Sequence, residues 1–183
     1  MSVTLVHAPV PTMKYKSPFL AALLVPVTLG ILLRAELAQA ELLLDLAFDT
    51  DGIAEVDFST GSDTATDLAE QANGALVLVG TSRQAAAGTT LDYVALTRLD
   101  GSSGALDTTF GTGGRVSFLP GPGAINGGGG VGRAVAIQPL DQKILVAGTW
   151  QPDPAGATQV FVARFDTDGT LDDTFGTDGV ALL

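Results

Sequence analysis

The pattern Leu-Asp-x-x-Phe-x-x-x-Gly is written three times along this chain, at residues 44–52, 106–114 and 171–179. Its phenylalanines, Phe48, Phe110 and Phe175, fall 62 and 65 residues apart. The segments between the copies also match in order: residues 73–81 align with 141–149, and residues 95–100 with 161–166. Several elements recurring in one order restrict the fold to a tandem array. One supersecondary unit is repeated, and each copy buries an apolar face against its neighbour.

The local chemistry of the repeated elements is β. Asn73-Gly74 favours a two-residue hairpin turn with positive φ. The apolar run 75–79 after it, like 144–147 in the other copy, is short and bounded by turn residues, which suits a strand covered on both faces. Residues 93–99 and 160–165 read as partner strands. Residues 53–58 and 115–119, each following the nine-residue pattern, read as further strands, as do 134–138 and, more weakly, 67–71. About four strands per repeat result, and nothing after residue 41 sustains a helical period. The pattern itself reads as a structural turn. Its Leu and Phe (Leu44, Phe48; Leu106, Phe110; Leu171, Phe175) would tuck the turn onto the core. Its Asp, as at Asp107 and Asp172, would accept backbone N–H groups. Its Gly (Gly52, Gly114, Gly179) would supply positive φ before the next strand. A direct ligand role for this element is the alternative.

The first forty residues are of another kind. Lys14 and Lys16 precede an almost wholly apolar run, 19–33, and Ala38-Gln39-Ala40 follows. A basic region, an apolar core and a small-x-small site compose a secretory signal, with cleavage expected after Ala40. The alternatives are an uncleaved membrane anchor, for which the run is short of the ~20 residues of a bilayer crossing, and a buried helix. Cleavage would leave six basic residues against nineteen acidic ones, a net charge of −13. Such a chain should repel nucleic acid and anionic lipid. The chain has no cysteine, and its one histidine, His7, precedes the cleavage site. Disulfides, thiol nucleophiles and histidine-activated serines are therefore absent from the mature protein.

Few residues carry candidate chemistry. Asp166, Asp168 and Asp172 present carboxylates at alternate positions around Gly169 and are weak calcium candidates, because the full calcium-loop pattern is missing. A polar turn is the alternative, and no other cofactor is indicated. Residues 127–132 formally satisfy G-x-G-x-x-G, but they lead into a strand rather than a helix and read as a flexible loop. A carboxylate pair such as Asp107 and Asp172 is the one route to hydrolysis. Trp150 is a candidate stacking face, with partly buried packing as the alternative.

The second copy, with Gln142-Lys143-Ile144-Leu145-Val146-Ala147-Gly148, Phe161-Val162-Ala163-Arg164-Phe165 and Asp168-Gly169-Thr170-Leu171-Asp172-Asp173-Thr174-Phe175-Gly176, resembles the delta-60 repeat family of secreted bacterial proteins. The resemblance covers most of residues 44–183 and is looser in the first copy. It implies an all-β, β-propeller-type architecture of four-stranded antiparallel blades, with no assigned catalytic residue. The expected organisation is a signal peptide at 1–40, repeats at 41–105 and 106–170, and the start of an incomplete third repeat at 171–183. Two blades are fewer than the four to eight that close a propeller. A fragment of a longer propeller, self-association through open sheet edges, and an open two-blade sandwich all remain open. The functional expectation is a secreted or cell-surface, non-catalytic module that binds a glycan or protein. Its contacts would lie in loops 83–91, 120–133 and 151–159, which differ between copies. An extracellular propeller-type hydrolase using carboxylates is the competing reading.

Overall fold

The tight turns and short apolar runs fold into hairpins. The computed structural model describes residues 3–6, 44–59, 61–86, 88–125 and 127–183, and the signal-peptide reading of residues 1–40 falls outside them except at 3–6. The described residues are all-β, without a helix: β1 (Val3–Val6), β2 (Ile53–Val56), β3 (Asp63–Glu70), β4 (Leu76–Ala86), β5 (Thr89–Leu99), β6 (Arg115–Phe118), β7 (Gly129–Ile137), β8 (Ile144–Gln151), β9 (Gln159–Phe165) and β10 (Val180–Leu182). Strands β3–β6 form one antiparallel four-stranded unit and β7–β10 a second. A single parallel pair, Asp92 with Gly129, joins them into one open mixed sheet. Strand β1 pairs with β2 outside that sheet.

The copies agree down to their irregularities. The first strand of each unit carries a bulge, between Ala65 and Asp67 in β3 and between Gly132 and Ala134 in β7. The β3–β4 turn places Gly74 at φ 83°, and the β7–β8 turn places Gln142 at φ 58°.

The strand pairing runs across the repeat boundaries read from the sequence. Strand β10 pairs antiparallel with β9, as β6 does with β5. Residues 171–183 therefore complete the second unit rather than begin a third. The nine-residue turn brings the chain back beside the strand just left, so it closes a unit. The strand left over lies at the other end: β2, which follows the first copy of the turn as β6 and β10 follow the second and third.

The largest apolar cluster lies between the units rather than within either. Val77, Val79, Val94, Leu96, Phe110 and Phe118 of the first unit meet Ile144, Val146, Trp150, Phe161, Ala163 and Phe165 of the second. Phe118 stands edge-on to Phe161 and Phe165, with ring centroids 5.9 and 5.1 Å apart. A smaller cluster packs Phe48, Ala54 and Val56 on the other face of the first unit, against Leu76, Leu78 and Leu99. Residues 76–79 are thus buried on both faces. In β8 burial alternates, so residues 144–147 are fully covered on one face only, where the sequence suggested both.

Of residues 127–132, read from the sequence as a flexible loop, 129–132 are the start of β7. A Cβ at Gly129 would collide with the Asp92 carbonyl, at Gly130 with Pro120, and at Gly132 with the Gly80 carbonyl. Glycine is required because two backbones approach closely where the units join.

Candidate functional site

Two places are assembled well enough to judge chemically: the repeated turn and the loop end of the sheets. In the turn, Asp45 Oδ1 accepts the Ala47 N–H, Asp107 Oδ1 the Thr109 N–H and Asp172 Oδ1 the Thr174 N–H, at 3.0, 3.0 and 3.1 Å. The closing glycines, Gly52, Gly114 and Gly179, have φ of 86°, 86° and 87°. Each lies over the leucine that opens its own turn: a Cβ at Gly114 would stand 2.5 Å from Leu106 Cγ. The leucines consequently seat under glycine, and Leu106 is half-buried and packs against the Phe48 cluster. Leu44 and Leu171 are exposed by 40% and 37%, whereas Phe48 and Phe110 are fully buried.

The phenylalanine serves the next unit. Gly111, beside Phe110, donates its N–H to the Asp168 carbonyl at 2.7 Å, as Asp49, beside Phe48, donates to the Ser103 carbonyl at 2.7 Å. The receiving turns hold glycine at positive φ, Gly104 and Gly169, where a Cβ would press on Phe48 and Phe110 respectively. Arg98 stacks over Phe110 at 4.8 Å, bonds Asp107 through Nε at 2.8 Å and reaches the Thr167 carbonyl across the interface. The second unit repeats the first two of these contacts with Arg164, Phe175 and Asp172.

The three calcium candidates do not converge. Asp172 Oδ2 receives Lys143 Nζ and Arg164 Nε, each at 2.6 Å. Asp166 pairs with the same Lys143 at 2.9 Å. Asp168 Oδ1 accepts the N–H and the hydroxyl of Thr170. Among the described residues, no group of three or more His, Cys, Asp or Glu is placed to hold a metal ion. The carboxyl of Asp172 is held well below the usual carboxylate range, first by Lys143 and then by Thr174. That of Asp107 is lowered by the Thr109 hydroxyl. Both acids are therefore carboxylates engaged by protein donors, an arrangement suited to pinning a turn rather than to delivering a proton.

At the opposite end of the strands the three variable loops come together. The segment 83–91 is a hairpin more than a loop, since β4 and β5 pair through residues 83–86 and 89–92 and Gly88 turns at φ 85°. Arg83 and Asp92 bridge it at 2.8 Å. The Ile125 N–H donates to the Pro152 carbonyl at 2.8 Å, and the Asp92 N–H to the Gly128 carbonyl at 3.2 Å. The 120–133 segment is thus bonded both to the foot of the 83–91 hairpin, at Asp92, and to the 151–159 segment, at Pro152. Trp150 takes no part in it. It is buried beneath Gly121, where a Cβ would lie 2.9 Å from the indole nitrogen, so it offers no stacking face.

Asp63 escaped notice in the sequence because its copy-two equivalent is a glycine. It is buried, and its Oδ2 accepts the Phe58 N–H at 2.9 Å. At the matching place the second unit has Gly130 against Pro120, which has no N–H to satisfy. Comparing the two copies for such paired changes would have found it.

A family model described as "Domain of unknown function (DUF5122) beta-propeller" matches residues 141–175, which run from the β7–β8 turn through β8 and β9 to Phe175. No curated protein and no solved structure matches the chain. The chain is accordingly an all-β protein with propeller-type blades, two of which are complete among the described residues.

Proposed function

We propose that this chain is an exported, non-catalytic repeat module for binding or display at the cell surface. It is of the delta-60 type, and its ligand, a glycan or a protein, is taken at the loop end. The observation that carries this reading is the union of the three variable segments, fastened by Ile125 to Pro152 and by Asp92 to Gly128. Variable segments on a rigid β scaffold are where recognition is ordinarily built. The strands supply rigidity, and the loops supply difference. Export is supported by the basic, apolar and small-residue succession of residues 14–40, and the absence of cysteine excludes a lipid anchor attached through that residue.

The reading is tested by presenting the exported chain to a glycan array and to extracellular proteins of its host. The test is repeated with segment 152–158 replaced by glycine and serine of equal length. Binding that disappears while the β circular-dichroism spectrum is retained is the expected result. Binding that survives replacement of all three segments would overturn it.

A further inference from the structure

Among the described residues, one arginine stands apart from the rest. Arg83 sets Nε and Nη2 side by side on the two oxygens of Asp92, at 2.8 and 3.1 Å. Arg98 and Arg164 place Nε on Asp107 and Asp172, at 2.8 and 2.6 Å. Arg133 is exposed to water. Arg115 donates through Nη1 to the Gly113 carbonyl at 3.1 Å, but its Nε is buried, and no acceptor among the described residues meets Nε or Nη2. A buried donor left unbonded costs free energy that an incoming acceptor recovers.

The repeat does not require an arginine here. The residue after the closing glycine is Ile53 in the first turn and Val180 in the third. The backbone at Arg115 is fixed: the Thr112 N–H donates to the Arg115 carbonyl at 2.9 Å, and the Arg115 N–H to the Thr112 carbonyl at 3.3 Å. Ser117, two residues along β6, shares its face and stands where the second unit has Leu182. The Ser117 hydroxyl accepts Gln84 Nε2 at 2.9 Å, which leaves its own O–H to donate. Arg115, Ser117 and Gln84 line a cleft of about 570 Å³ together with Phe58, Thr112 and Thr170. That size is within the ~300–1,000 Å³ of small-molecule sites. The Gly111 N–H, donating to the Asp168 carbonyl at 2.7 Å, ties the first unit's wall of the cleft to the second unit's, so the cleft is held open without a ligand.

We propose that the Nε–Nη2 side of Arg115 receives the carboxylate of an acidic saccharide, whose ring lies in the cleft. Carboxylate is the group that this chain itself sets against the same side of Arg83, and the planar fork matches two oxygens at once. The hydroxyls of Ser117 and Thr112 and the Gln84 amide then meet a ring rich in hydroxyls, with Phe58 beside them as apolar surface. A wholly apolar ligand would bury these polar groups without partners. At a net charge of −11 the chain draws no anion by its overall field, so affinity for an acid comes from the local fork. The cleft follows β6 and takes no residue from the 120–133 or 151–159 segments, so it is a site beyond the loop-end contact.

The test titrates the full chain with D-galacturonate and D-glucuronate, with their methyl esters and with acetate, following the Ser117 amide and the Gln84 side-chain amide by NMR. At least one of the two sugar acids should bind saturably. Arg115→Gln, with an unchanged β circular-dichroism spectrum, should weaken that binding by about tenfold or more. The ester keeps the ring and loses the charge, and acetate keeps the charge and loses the ring, so both should bind more weakly than the acid. Absence of saturable binding, or an ester or an Arg115→Gln variant that binds as the parent pair does, would overturn the proposal. Acetate bound as tightly as the sugar acid would overturn the saccharide as ligand. Should Arg115→Gln not fold, the comparison of acid with ester on the parent chain decides. Replacing segment 152–158 changes no residue of the cleft, so this reading and the loop-end reading fail separately.

Discussion

Arg164 donates through Nε to Asp172 Oδ2 at 2.6 Å, and its counterpart one unit earlier, Arg98, does the same to Asp107 at 2.8 Å. The second pair is the more heavily defended, because Lys143 reaches the same oxygen of Asp172. The Lys143 position in the first unit is Ala75, which has no charge to contribute.

Acid should find this difference. The folded-state carboxyls of Asp172 and Asp107 lie below the ordinary 3.8. A depressed folded value contributes stability that is complete above the unfolded value and is lost as pH falls through the folded one. Urea midpoints should therefore be level above about pH 5 and fall below about pH 4. Asp172→Asn should lower the midpoint at neutral pH, and the gap from the parent should narrow as the solution is acidified. A gap constant from neutral pH to pH 2 would refute the assignment.

The two turn phenylalanines should differ in worth. Phe110 is fully enclosed, so Phe110→Ala should cost about 3–5 kcal/mol in equilibrium unfolding. Phe175 is half-buried, and Phe175→Ala should cost about 1 kcal/mol in dilute solution.

Gly114→Ala combines a left-handed backbone with a Cβ pressed on Leu106. It should destabilise by about 2–4 kcal/mol. Gly74, also at positive φ, faces open space, so Gly74→Ala should carry the backbone term alone, about 1–2 kcal/mol. Thermal melts of the two variants side by side separate strain from crowding.

Asp63→Ala should leave the Phe58 N–H without its acceptor and cost about 1–3 kcal/mol. Amide exchange at Phe58 should accelerate in the variant. An unchanged exchange rate would show that another acceptor takes over.

Much of this architecture is legible in the chain because β-hairpins are local. Asn73-Gly74 and the apolar runs after each turn announce their strands, and the triplicated turn announces the array. What escaped was long-range. Gly129, Gly130 and Gly132 look like a flexible linker until the Asp92 carbonyl, Pro120 and the Gly80 carbonyl are found against them. Trp150 looks available until Gly121 is found across it. The placement of 171–183 in the second unit depends on which neighbour β10 joins, a choice that register makes and composition does not. At the loop end, the difference between copies was visible in the sequence, but the Ile125–Pro152 fastening was not, since it joins carbonyl and amide groups that every residue possesses.

The turn that ends one unit also lodges its phenylalanine in the next, so the covalent period and the packing period are offset by a strand. Like overlapping roof tiles, no unit has a seam at which it lifts away by itself. Melting at Phe110 removes the clasp of the first unit and the keystone of the second together. Because the two described units are joined largely through one apolar interface, loss should propagate between them as a single event, and chains with one unit unwound should be scarce at any temperature.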